Sequence, residues 1–233
     1  MPEIAIVAAM EREIHGLVRK WRVAEREFSG RRFRFFESAD CVAVCSGVGP
    51  DGARRATEAI ISLYKPGLVQ SVGFAGALDN TLIVGQVLEI RQVVDARDGS
   101  RTDTGLGSAV LVSFPSVAGP NQKAKLAAAY HAQAVDMEAA SVAKGAEAHG
   151  LRFGAIKVIS DEAGFPMPPM ESFVAKDGEF QAGRFALHAA VRPWMWGAVL
   201  RLARNSRVAS NRLSAYLEQN LRQPGPVPSH ASS

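Results

Sequence analysis

Ala134-Val135-Asp136-Met137-Glu138-Ala139-Ala140 and Lys157-Val158-Ile159-Ser160-Asp161-Glu162 frame the part of the chain that decides the fold. Each is a short apolar run ending in carboxylates. Between them, Ala139 to Gly150 is rich in small residues (Ala139, Ala140, Ala143, Ala146, Ala148) and closes on Gly150, a residue suited to a helix C-terminus. The pattern predicts strand, helix, strand. Such a crossover joins parallel strands with a fixed hand, so both strand ends are expected at one sheet edge, with Glu138 and Asp161 close in space. Ligands of open α/β sheets bind at that edge.

Outward from this unit, Ile4 to Ala8 is a compact apolar strand candidate, followed by a helix whose Ile14, Leu17 and Val18 keep helical spacing. Phe28-Ser29-Gly30-Arg31 reads as a turn between two strands, with Val42 to Cys45 as the next strand and a glycine turn at Ser46-Gly47-Val48-Gly49. Pro50 opens a helix to about Tyr64. Leu68 to Val72 and Val87 to Val94 read as buried strands, the first ending in Gly73-Phe74-Ala75-Gly76, and Lys123 to His131 reads as helix. Beyond Ile159 the chain turns irregular through Pro166, Pro168 and Pro169. Helix dominates from Phe185 to Leu221, with a break near Pro193. The expected fold is α/β: one domain over residues 1–222 with a twisted, mixed central β-sheet flanked by helices, then a disordered tail rich in Pro and Ser over 223–233.

Composition narrows the function classes. A chain of 233 residues, 47% hydrophobic, buries one substantial core. The formal charge of +4, from 27 basic and 23 acidic residues, is too small and too dispersed to argue for nucleic acid. Arg31, Arg32 and Arg34 alternate with Phe33 and Phe35 as on a half-exposed strand. Cys41 and Cys45 share one extended segment, which puts their Cα atoms ~13 Å apart, beyond disulfide reach. The apolar start Ile4 to Met10 lacks a basic leader, and no segment approaches the ~20 apolar residues of a membrane span, so the cytoplasm is the expected compartment. His15, His131, His149, His188 and His230 are scattered, with no metal-ligand spacing, so no metal is expected; no organic cofactor is expected either.

Four features at strand ends carry chemistry: Glu13 after the first strand, the Ser46 turn, the Gly73 to Gly76 turn, and the pair Glu138 and Asp161. Taken singly they are weak, because an acid in a first helical turn is often a partner for the helix dipole, glycine turns are commonly only turns, and Met137 alone reads as core filler. Their convergence is the signal.

In order and context, Ile4-Ala5-Ile6-Val7-Ala8-Ala9-Met10-Glu11-Arg12-Glu13, Ser46-Gly47-Val48-Gly49, Gly73-Phe74-Ala75-Gly76-Ala77-Leu78, Val135-Asp136-Met137-Glu138-Ala139-Ala140 and Ile159-Ser160-Asp161 resemble the nucleoside phosphorylase superfamily. The nearest branch over Met1 to Asp161 looks like the methylthioadenosine/S-adenosylhomocysteine nucleosidases. The segment Arg192-Pro193-Trp194 to Arg207 is more similar to the nucleoside phosphorylases of hopanoid lipid synthesis, which act on an adenosylated lipid. The resemblance implies a nucleoside substrate and a homo-oligomer. It makes Asp161 the general acid that protonates the leaving purine, with Ser160 orienting it. Glu138 would accept hydrogen bonds from the ribose hydroxyls, Met137 would pack on the sugar, and Glu13 would activate the attacking water. Phe74 would line the sugar site, where the nucleosidases usually carry a small polar residue; Lys157 stands where they commonly have Arg; Val117 and Ala118 would lie near the base. Breaking an N-glycosidic bond builds positive charge on the sugar and negative charge on the base, so a proton for the base and carboxylates near the sugar both favour the transition state. Asp161 would have to hold a proton, which burial beside other carboxylates would favour.

Two alternatives stand beside this one. Phosphorolysis needs an anion site, and Ser46 and Gly47, feeding a helix N-terminus near Arg54 and Arg55, would offer amides to phosphate. Against it, Cys45 rather than an Arg precedes Ser46, and Glu13 would repel a phosphate placed against the sugar. A non-catalytic nucleoside-binding protein is the rival class, disfavoured because binding alone needs no acid at both sugar and base. Lastly, the basic and apolar residues from Val191 to Arg222 suit either an ordinary packing helix or a peripheral contact with an anionic membrane.

Overall fold

The computed structural model describes residues 2–167, 171–173, 181, 184 and 192–221. In chain order the first elements are β1 (Ile4–Ala8), α1 (Glu11–Val18), β2 (Arg22–Phe28), β3 (Arg31–Glu37), β4 (Cys41–Cys45), α2 (Pro50–Tyr64), β5 (Leu68–Ala77) and β6 (Val87–Asp95). There follow β7 (Arg101–Asp103), β8 (Ala109–Ser113), α3 (Pro120–Tyr130), β9 (Ala134–Asp136), α4 (Ala139–Ala148), β10 (Arg152–Asp161) and α5 (Pro193–Leu221).

Local chemistry explains most of these. Ser29 and Gly30 both take positive φ (50° and 74°), the geometry of a tight hairpin that lets Phe28 pair with Arg31. Pro50 opens α2 behind Gly49, whose φ of 98° turns the chain from β4 into the helix. On α1, Glu13, Ile14, Leu17 and Val18 are the buried residues, one face of the helix. Both cysteines are free thiols on β4.

The ten strands among the described residues form one mixed sheet. β1 lies between β4 and β5, parallel to both, and the β2–β3 hairpin extends the sheet beyond β4. At the other side the sheet closes on itself, because β5 pairs with β10, β10 with β6, β6 with β8, β8 with β9, and β9 with β5 again. α2 and α4 pack together on one face. On the other, Ala209, Leu213 and Leu217 of α5 bury against Ile14, Leu17 and Val18 of α1, each large side chain contributing ~1.5–3 kcal/mol. A third cluster gathers Leu126 of α3 with Val110, Val112 and Val135.

The expected sheet and flanking helices are there, but the crossover at its centre differs from expectation. β9 and β10 are not adjacent parallel strands: β5 lies between them, antiparallel to β9 and parallel to β10. α4 therefore carries the chain across the closed part of the sheet. Glu138 and Asp161 still come together, because Gly76 of β5 pairs with Val135 on one side and Asp161 on the other. From Val135 the chain runs back along β5 to Glu138, while Asp161 stays at Gly76. The break expected near Pro193 is the start of α5. Pro168, Pro169, the stretch from Phe185 to residue 191, Arg222 and the expected tail lie outside the described residues. Among the described residues no helix is long and apolar enough to cross a membrane.

Candidate active site

The ends of β1, β5, β9 and β10 surround a cleft of about 900 Å³, its open mouth included. Glu13, Glu138, Asp161, Met137, Ser160, Phe74, Val117 and Ala118 all line it, so every sugar-side and base-side residue expected from the sequence is brought to one place. Ser46 and Gly47 are not among the lining residues. Their amides donate to Ala8 O (2.8 Å) and Ala9 O (3.0 Å), holding the turn against β1, and the Gly49 amide donates to Glu138 Oε1 at 2.7 Å. The anion cradle expected there is thus closed by the protein's own carbonyls and carboxylate. Arg54 pairs with Glu58 on the surface of α2.

Two charged groups sit about three residues apart along β5. The first surrounds Gly73. Glu13 approaches this glycine so closely that a Cβ there would lie 2.6 Å from Oε2. Glu13 is 2% exposed, and its Oε2 accepts the amides of Ala9 (3.1 Å) and Met10 (3.3 Å). Lys157, opposite Gly73 on β10 and also 2% exposed, places Nζ 2.9 Å from Asp136 Oδ2 and donates to Ser71 Oγ at 3.0 Å. Asp136 is fixed in turn: Oδ1 accepts from Ser113 Oγ (2.6 Å) and Oδ2 from the Ala139 amide (2.9 Å) at the start of α4. One ammonium therefore faces three carboxylates. Burial pushes the Glu138 carboxyl up to about 8, reinforced by Asp136 and Glu13 and opposed by Lys157 and the Gly49 amide. Burial likewise raises Glu13, with Lys157 opposing. Burial alone would lower Lys157, but Asp136, Glu138 and Glu13 outweigh it and keep the ammonium charged.

The second group sits at Gly76. Ser160 Oγ donates to Asp161 Oδ1 at 2.6 Å, and Asp161 is 3% exposed. Its neighbour is a cation. Lys123 of α3, 2% exposed, hydrogen-bonds Asp161 Oδ2 and donates to Glu162 O at 2.8 Å. The expectation of other carboxylates beside Asp161 gives way to an ion pair, because α3 delivers a lysine to this end of β5.

Sequence reasoning missed Asp136 and Lys123, and gave Lys157 no role beyond standing in for Arg. A lysine within Ala155-Ile156-Lys157-Val158-Ile159 was itself a signal, since a cation inside a buried strand must be paired. Lys123 left a fainter trace, three positions before Leu126 on one helix face. Among the described residues no group of three His, Cys, Asp or Glu is placed to hold a metal ion.

A closed mixed sheet with this cleft at its strand ends places the chain in a recognisable class. The family model described as Phosphorylase superfamily matches residues 3–128 and 115–189, and the chain belongs to that superfamily. A 5′-methylthioadenosine/S-adenosylhomocysteine nucleosidase of Staphylococcus aureus (strain MRSA252) is 27% identical over 213 residues, covering 74% of this chain and 92% of that protein. One of the same name from Marinomonas sp. (strain MWYL1) is 33% identical over 102 residues, 40% of this chain. The chain spans about half the length or less of several such relatives, 42% for that of Marinomonas. Among solved structures, the apo 5′-methylthioadenosine nucleosidase of Arabidopsis thaliana superposes with a TM-score of 0.74 at 18% identity, covering 97% of this chain and 98% of that one. Native futalosine hydrolase of Helicobacter pylori gives 0.65 at 19%, covering 94% and 98%. At such identities these likenesses establish the fold.

Proposed function

We propose that the chain is an enzyme that hydrolyses the N-glycosidic bond of an adenine-type purine nucleoside. The observation that carries this reading is the division of the cleft, with carboxylates in excess around Gly73 and a hydrogen-bonded Asp161 at Gly76. The sugar lies at the Gly73 end, where Glu138 accepts from its hydroxyls, Met137 packs on it, and negative charge favours an oxocarbenium-like transition state. Glu13 takes a proton from the attacking water, a task suited by its raised proton affinity. The base lies against Asp161, which delivers a proton to it, with Val117 and Ala118 beside the purine. Water is favoured over phosphate because the Ser46, Gly47 and Gly49 amides already have partners. The likeness to the S. aureus and Marinomonas 5′-methylthioadenosine/S-adenosylhomocysteine nucleosidases supports a 5′-thio-substituted substrate. An adenosylated lipid is the second reading, supported by an apolar wall in which Leu202 of α5 joins Met10, Phe74 and Met167. A homo-oligomer is part of the proposal.

The test is adenine release from methylthioadenosine, S-adenosylhomocysteine, adenosine and an adenosylated hydrophobic analogue, each with and without phosphate. Phosphate-independent release of adenine is expected. Release only with phosphate would make the chain a phosphorylase, and binding without release would make it a nucleoside-binding protein.

A further inference from the structure

The roles assigned above leave Lys123 without a task, although its setting is specific. It reaches from α3 across Gly76, where an added Cβ would lie 3.0 Å from Asp161 Oδ2, 3.0 Å from Lys123 Cε and 3.1 Å from Nζ. The pair therefore occupies space that only a glycine leaves open. Stability is a weak explanation for it, since buried ion pairs can often be replaced by apolar residues at no cost. An ammonium carries three donors. Asp161 and Glu162 take two, and the third has no partner among the described residues while Lys123 lines the cleft.

We propose that Lys123 is the source of the proton that Asp161 hands to the departing base. This rests on the placement of the purine against Asp161 given above. The C1′–N9 bond breaks and its electron pair leaves with the base. A proton passes from Lys123 Nζ to Asp161 Oδ2 and from Asp161 to purine N7, so the base departs neutral, Asp161 returns to carboxylate and Lys123 becomes the neutral amine. Water adds to C1′ and loses its proton to Glu13; that proton returns through solvent to Lys123. The net reaction is nucleoside plus water giving base plus free sugar.

The experiment compares two substrates with the same sugar: methylthioadenosine and a 4-nitrophenyl 5-methylthioribofuranoside, whose nitrophenolate leaves without protonation. Lys123→Met is expected to lower kcat on methylthioadenosine by about 100-fold or more and on the nitrophenyl riboside by less than about threefold. Lys123→Arg keeps the charge and the pair, but a guanidinium does not release its proton, so it is not expected to restore the nucleoside rate. Equal losses on both substrates, or recovery by Arg, would reduce Lys123 to support of the fold and overturn the proposal. Should Lys123→Met fail to fold, or the nitrophenyl riboside resist cleavage, Lys123→Arg on methylthioadenosine decides alone. Loss with Asp161→Asn but not with either Lys123 variant would sink this inference and spare the proposed function. An intact rate in Asp161→Asn would remove this inference together with the role given to Asp161 while sparing the hydrolysis, and no adenine release by the unsubstituted chain would remove the inference and the proposed function alike.

Discussion

The Gly73 and Gly76 ends of the cleft share one strand, β5, yet handle charge in opposite ways. Around Gly73, Glu13, Asp136 and Glu138 crowd one ammonium: burial raises Glu13 and Glu138, Asp136 and Glu13 add to the rise of Glu138, and the three acids together hold Lys157 charged. At Gly76 the balance is one to one, Asp161 against Lys123. An excess of carboxyl groups over ammonium lets the Gly73 end accept positive charge, as protons in the free protein or as a cation arriving between the acids, whereas the Gly76 end is a matched ion pair. A reaction that makes a sugar positive and a base negative needs that asymmetry.

The comparison breaks most readily at the Gly76 end. Asp161→Asn is expected to lower adenine release by ~10²–10⁴-fold, the usual worth of a positioned acid, in steady-state assays of a folded variant. An unchanged rate would show that the two ends do not divide the labour as argued. At the Gly73 end the corresponding change is structural. Lys157→Met leaves Asp136 and Glu138 buried without their ammonium and is expected to cost ~3–5 kcal/mol of stability in urea unfolding. A loss below ~1 kcal/mol would mean that the acids relax by taking up protons instead.

At both ends the sequence made acids legible and hid the cation that meets them. Glu13, Glu138 and Asp161 stand at the ends of apolar runs, where strand periodicity alone points to a sheet edge. Gly30 and Pro50 likewise marked a turn and a helix start by the φ each residue permits. Strand direction was not legible. β9 is only three residues long (Ala134–Asp136), too short to name its partners, and both its pairing with β8 and β5 and the closure through β6 and β10 are decided by tertiary packing. The cations were missed for a related reason, since Lys123 meets Asp161, and Lys157 meets Asp136, across elements distant in sequence.

A gentler probe of the Gly73 end is pH. Glu138 is raised from its ordinary 4.5 to about 8. Between those values the folded chain holds a proton that the unfolded chain has released, so its contribution is fully present below the lower value and is lost as pH rises through the upper one. Glu13 acts with the same sign, while Lys157, also raised, acts only at alkaline pH. The free protein should therefore melt at lower temperature at pH ~8 than at pH ~5. Glu138→Gln, which mimics the protonated acid, should shrink that drop by at least ~2 °C, the shift of about 1 kcal/mol in a chain this long. An undiminished drop would place the titration elsewhere than in this cluster.

The smallest effect expected sharpens the contrast at Gly76. Asp161 is held from two sides, Oδ1 by the Ser160 hydroxyl at 2.6 Å and Oδ2 by Lys123. Ser160→Ala removes one hydrogen bond to a carboxylate that the ammonium still anchors, so the loss is one of orientation rather than of charge. A hydrogen bond to a charged group is worth ~1.5–3 kcal/mol, and with the second anchor intact the expected cost is at the low end, about tenfold in kcat with KM little changed. A loss as large as that of Asp161→Asn would give Ser160 a direct part in the chemistry. No loss at all would mean that Lys123 alone fixes the carboxylate, and would make the matched pair, rather than the Ser160-Asp161 dipeptide that the sequence displays, the working unit of this end of the cleft.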